Sequence, residues 1–289
     1  MIEDDPPESL LDSLRIPTLP SCVLRLREIL NRDDCGLAEV ADVVATDPPI
    51  AAKVLQVANS ARYGLREKTL SIHKAATVLG VRNLTTIAMR AGVASAFAHL
   101  RDVPGFSLSE FWKHSVLTAQ VASTLASGLR RRDVDLAPQD YYTCGLLHDI
   151  GQLVMYDSFG TEYASALAAS ATPLEILGME EHTFMDLNHA DVGGLSATMW
   201  QLPAPIPDVI YNHHRPFAAP AVRDIALLIA SADEIAELVA ATPLAEATEI
   251  AGRLRNTIPG SKPRHYLDAI ATAKLIYQQL DVEQTSWAG

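Results

Sequence analysis

Apolar residues recur along this chain at intervals of three and four, the spacing that lines one face of an α-helix. In PSCVLRLREIL, Val23, Leu26, Ile29 and Leu30 form such a stripe behind Ser21, an expected N-cap. GLAEVADVVATD repeats the stripe with Leu37, Val40, Val43 and Val44. DPPIAAKVLQVANSA opens with Asp47 as cap and Pro48 at the first helical position, where a missing N–H leaves no bond unmade. Ile50, Val54, Val57 and Ala61 make its buried face. Gly64 breaks the pattern; SIHKAATVLG then predicts a short helix stopped by Gly80, and VRNLTTIAMRAGVASAFAHL a longer one.

The polar segment RDVPGFS marks a domain junction. Beyond it, Ser107 and Glu110 have capping-box spacing ahead of LSEFWKHSVLTAQVASTLASGL. Pro138 opens a helix that carries CGLLHDIGQLV and runs to the Phe159–Gly160 break. Further helices are expected over about 161–169, 173–183, 188–200, 207–213, 222–241 and 263–281, with the proline-rich LPAPIPD as a rigid turn. No run alternates polar and apolar residues as a half-buried strand would. The expected fold is all-α. Its divisions are a tail over 1–14, an N-terminal helical bundle over 15–105 and a second helical domain over 106–289.

Composition narrows the function more than the fold. The 289 residues are 48% hydrophobic and 20% charged, ordinary for a globular chain. A net charge of -12 argues against a protein built to hold a nucleic-acid backbone. The one basic run, Arg130-Arg131-Arg132, reads as a solvated helix end. Cys22, Cys35 and Cys144 are widely spaced and form no CxxC, which fits reduced thiols. The N-terminal MIEDDPPESLLDSL lacks the basic and apolar regions of a signal peptide, and no stretch has the length of a membrane span. A cytoplasmic protein is expected.

Candidate chemistry lies in the histidines. CGLLHDIGQLV puts His148 and Asp149 side by side in an apolar segment, where burying either group unpaired is costly. His114, His189, His213, His214 and Asp233 also sit in or beside predicted helices, separated by helix-sized intervals. Imidazole and carboxylate suit divalent transition metals, and the helices of a bundle can aim them at one point. Each has a plainer reading too. A buried histidine can be a satisfied core residue, the HH pair a helix C-terminus, and Asp233 a solvated helix position. Adjacent side chains diverge by about 100° on a helix, so His148 and Asp149 can grip one site only near a helix end. His73, His99, His182 and His265 fit no such set and read as surface or capping residues.

The order His114, His148-Asp149, Asp233 resembles the HD superfamily of metal-dependent phosphohydrolases. IPTLPSCVLRLREIL, LAEVADVVATDPPIAAKVLQVANSARYG and SIHKAATVLGVRNL are similar to the N-terminal signature of HDOD, the HD-related output domain of bacterial signalling. HADVGGLSATMWQLPAPIPDVIYNHHRP resembles that family's downstream segment, so the resemblance spans about 15–240. It implies an N-terminal helical bundle packed on an HD-type helical domain. HDOD domains are regarded as relatives that have lost HD ligands and act in signalling. This chain departs from them by keeping ligand residue types, with His189, His213 and His214 falling where HD-GYP phosphodiesterases place additional ligands.

Two readings follow from the resemblance. In the first, the chain is a regulatory module with a mono- or dinuclear metal site, acting through signalling proteins or a small nucleotide or phosphate ligand. In the second, it is a metal-dependent phosphohydrolase. Asp149 is then the catalytic and bridging residue, and His114, His148, His189, His213, His214 and Asp233 are ligands. The metal is expected to be Fe or Mn, with Zn or Ni as alternatives. Gln152 stands where an active relative carries a phosphate-associated lysine, and HHRP leads into FAAPAVRD rather than a GYP motif. Both departures argue against cyclic di-GMP hydrolysis. Lys113 and Arg215, beside ligand positions, are the candidates to hold phosphate with Gln152 in a catalytic version of the site.

Overall fold

The computed structural model describes residues 13–30, 32, 35–60, 63–129, 138–169, 187–255, 258–259 and 261–283. Its elements are helices α1 (Ser21–Leu30), α2 (Leu37–Ala45), α3 (Pro48–Ala58), α4 (Ile72–Ala96), α5 (Leu108–Gly128), α6 (Pro138–Leu147), α7 (Ile150–Phe159), α8 (Thr161–Ala169), α9 (His189–Met199), α10 (Ile206–Asn212), α11 (Arg223–Ala241), α12 (Ala247–Arg253) and α13 (Pro263–Glu283). Among the described residues there is no strand; Val103 and Phe106 form an isolated bridge. The fold is all-α. No helix among the described residues is long and apolar enough to cross a membrane.

The described residues fall into two compact units. One comprises 17–99 together with 200–203; the other comprises 13–16, 100–199 and 204–283. In the first, Val23, Leu26, Val40, Val44, Ile50 and Val54 are buried as their spacing requires. Asp47 caps α3 by accepting from Ile50 N at 3.0 Å. Ser21 is not the cap of α1: the Pro20 carbonyl accepts from Val23 and Leu24, which puts Ser21 one place inside the helix. The third helix ends at Ala58, before Ala61, because the Asn59 side chain turns to bond both the N–H and C=O of Thr69 at 2.8 Å. Gly80, at φ 76°, interrupts α4 in a backbone region that costs other residues strain. The strap Trp200–Pro203 adds an indole whose Nε1 donates to Pro17 O at 2.8 Å and whose ring meets Phe97 edge-on.

In the second unit α5 packs against α6, α11 and α13, while α9 packs against α7 and α10. Ser107 caps α5, and Asp102 adds a second cap by accepting from Leu108 N at 2.9 Å. Most of α11 is buried on every side, so a polar group in its middle is held away from water. The α12 helix is an addition to the sequence expectation. The helix expected over 173–183, His182 and the Arg130–Arg132 run lie outside the described residues. His73 is an exposed partner of Asp42, and His99 is exposed. His265 is buried at the start of α13, where its Nδ1 accepts from Lys262 N.

Candidate metal centre

The segment from Pro138 to Phe159 is two helices, not the single one its pattern suggests. They break at His148 and Asp149, the last residues before α7 begins. That break resolves the divergence of adjacent side chains, because the pair stands at the end of one helix and the start of the next. The other donors arrive from separate elements: His114 from α5, His189 from the first turn of α9, His213 and His214 from the end of α10, and Asp233 from the middle of α11.

All seven meet in one place, in two groups. His114, His148 and Asp233 form one, and Asp149, His189, His213 and His214 form the other, with the donor atoms of each group within 4.8 Å of one another. Asp149 joins the groups. Its Oδ1 lies 3.0 Å from His189 Nε2, 3.3 Å from His148 Nε2 and 3.5 Å from His213 Nε2, and its Oδ2 lies 3.4 Å from His114 Nε2. His148 and His213 are fully buried, whereas His214 is exposed at the rim.

Imidazole tautomers make this crowding informative. His148 Nδ1 donates to Gly145 O at 2.8 Å, and His213 Nδ1 donates to Ile210 O at 2.6 Å. In a neutral ring this leaves the Nε2 lone pair pointing inward, the arrangement typical of metal-ligating histidines. Asp233 Oδ1 is buried without a hydrogen-bond partner, although His114 Nε2 and His148 Nε2 lie 3.1 and 3.4 Å away. Lone pairs that converge on a buried, unsatisfied carboxylate oxygen call for a cation between them. The donor set therefore fits a divalent metal.

The electrostatics point the same way. Burial opposes a charge on His114, but the Asp149 and Asp233 carboxylates beside it outweigh burial and raise its pKa well above the usual imidazole value. Burial alone would raise Asp149, yet the charges of His148 and His189 and the contacts with His114 hold it well below the carboxylate range. Asp233 is lowered too, burial being outweighed there by His114 and His148. Glu237, one turn beyond Asp233, behaves oppositely. Burial, then the Asp233 carboxylate, push it up to about 8, with His114 opposing and Asp149 and Glu234 adding. Sequence reasoning passed over Glu237; its signal is the four-residue step from Asp233 on a helix otherwise rich in apolar residues.

The three residues expected to hold phosphate have their polar ends engaged by the protein. Gln152 Nε2 donates to Asp149 Oδ2 at 2.9 Å. Lys113 is buried, with its ammonium 4.0 Å from the Tyr277 ring centroid and 3.9 Å from Glu110 Oε2. Arg215 pairs with Asp191 and lies over the Tyr211 ring.

Gly151 explains how α7 and α9 come close enough to share ligands. A Cβ on Gly151 would run into the carbonyl oxygen of His189 and come within 2.6 Å of Gly193 N. Gly151→Ala must push backbone away from backbone, a form of overpacking that costs about 3 kcal/mol or more. Thermal melts should show Tm lower by about 6–12 °C, and His189 should be displaced from Asp149. An unchanged Tm would contradict this packing.

Comparison with known proteins agrees with this architecture. The HDOD domain family matches residues 16–216. A solved HDOD domain protein of unknown function from Geobacter sulfurreducens is similar at 26% identity and TM-score 0.70, covering 96% of this chain and 95% of its own. A Shewanella amazonensis SB2B protein, named provisionally as a phosphohydrolase, shares the fold at 23% identity and TM-score 0.69, with 94% of this chain and 97% of its own covered. A second from that organism, provisionally named a metal-dependent phosphohydrolase, matches at 21% identity and TM-score 0.60, covering 93% and 94%. An uncharacterised Treponema pallidum (strain Nichols) protein is 27% identical over 203 residues, which is 69% of this chain but only 37% of that relative's length.

Proposed function

The chain belongs to the HDOD domain family, and we propose that within it this is a cytoplasmic regulatory protein with an intact dinuclear metal centre. The observation that carries the reading is the convergence of five imidazoles and two carboxylates into two groups joined by Asp149. His114, His148 and Asp233 would hold one ion, and His189, His213 and His214 the other, with Asp149 shared. Fe or Mn suits this mixed nitrogen and oxygen set, and Zn or Ni are the alternatives. Occupancy would act as the signal. A cation bound only by the folded state stabilises it and would report metal, or a nucleotide or phosphate ligand bound over it, to a partner signalling protein.

The regulatory reading stands ahead of catalysis because Lys113, Arg215 and Gln152 all have protein partners. A phosphohydrolase remains the second reading, favoured by the exposed His214 at the rim and by the shared Asp149. A divalent pair, when bound, supplies Lewis-acid activation of water and of a phosphoryl oxygen. In that reading the chain's own contribution is placement: Asp149 would orient the attacking water.

Metal analysis of protein purified without a histidine tag, before and after anaerobic reconstitution, tests the first reading. Two equivalents of divalent metal per chain are expected, and metal-free protein after reconstitution would sink it. Turnover of phosphodiesters and cyclic nucleotides, abolished in the double variant His148→Ala/Asp149→Ala, would move the second reading ahead. No turnover by metal-replete protein leaves the regulatory one in front.

A further inference from the structure

Gln152 lies in the first turn of α7, three residues beyond Asp149, and its Nε2 donates to Asp149 Oδ2 at 2.9 Å. A carboxylate offers only acceptors, so the amide must present its NH2 group. The consequence is orientational. With Oδ2 tied to Gln152, Oδ1 faces His189 and His213 at 3.0 and 3.5 Å and His148 at 3.3 Å, while Oδ2 stays 3.4 Å from His114. The carboxylate thus reaches ligands of both groups, Oδ1 touching both and Oδ2 the first alone. An untethered aspartate turns readily about its terminal torsion, which is broad and two-fold. It could then present both oxygens to one side.

We infer that Gln152 is a positioning residue that holds Asp149 in a bridging orientation and so sets the centre to take two divalent cations rather than one. The inference rests on the metal reading above. The amide performs this without adding charge. An ammonium at the same place would pair with the carboxylate and repel the cations it serves, most strongly where water is excluded.

Gln152→Met keeps the side-chain length and helix propensity while removing the donor. Metal-free wild type and variant are titrated with Mn2+. Bound equivalents are counted after equilibrium dialysis, and spin coupling is read by electron paramagnetic resonance. Wild type should bind two ions with a coupled signal. Gln152→Met should keep the first ion at unchanged affinity and bind the second about 10–100-fold more weakly, the usual cost of losing an outer partner of a ligand. Its signal should be that of an isolated ion, and its metal-free Tm should match wild type, which separates positioning from folding. Gln152→Lys should recover the coupled signal, because a donor returns, while weakening both ions. A Gln152→Met protein that holds two coupled ions at wild-type affinity overturns the inference and leaves the metal centre standing. A wild type that binds no Mn2+ removes both.

Discussion

Asp149→Asn should empty both halves of the centre, whereas Asp233→Asn should empty one. The contrast follows from position. Asp149 reaches His148, His189 and His213 through one oxygen and His114 through the other, so it serves every ligand group. Asparagine keeps its shape but removes the charge and turns an NH2 donor toward nitrogens that need a cation. Loss of a direct ligand must exceed the cost of losing an outer partner, so both ions should weaken by more than ~100-fold. Asp233 contacts His114 and His148. Its variant should keep the ion held by His189, His213 and His214 and bind about one equivalent. Metal content after reconstitution measures both. Equal loss in the two variants would mean a single site, and retention of two ions by Asp149→Asn would mean that the carboxylate does not bridge.

Much of this was legible in the sequence, and the exceptions have physical causes. The stripes of α1 to α3, the Asp47-Pro48 start and the stop at Gly80 are local signals, and local signals are what a linear sequence carries. The ligand types were legible because a histidine and aspartate inside an apolar run demand partners. Three features were not. The break at His148 and Asp149 has no proline to announce it, Asp149 stands at the N-cap position of α7 without making a side-chain cap bond, and the pattern on either side continues as one helix. Glu237 goes unmarked until most of α11 is seen to be buried. Gln152 reads as a lost lysine, and only its bond to Asp149 gives it a role of its own.

Metal removal should leave a protein whose stability falls as pH rises through the neutral range, and whose recovery on adding metal grows over the same range. Without a cation, the Asp149 and Asp233 carboxylates hold the proton of His114. The folded pKa of His114 lies above its ordinary 6.5, so its contribution is complete below about pH 6.5 and is lost as pH rises through the folded value. The folded pKa values of Asp149 and Asp233 lie below their ordinary 3.8. Their contribution is present above that value and disappears only as pH falls through the depressed folded values. These three groups together stabilise the metal-free protein most between about pH 4 and 6.5, while His214, its pKa lowered by desolvation and then by His213 and His189 beside it, takes stability away as pH falls below 6.5. A metal ion must displace the His114 proton, so affinity should rise about tenfold per pH unit while that proton is present. Metal at a hundred times its Kd adds about 2.7 kcal/mol. Each further tenfold gain adds about 1.4 kcal/mol, or roughly 3–6 °C in Tm. Melting curves with and without a fixed excess of Mn2+ at pH 6, 7 and 8 read this directly. A metal-induced rise in Tm that is the same at all three would mean that no proton leaves on binding, and that His114 is not displaced from its two carboxylates.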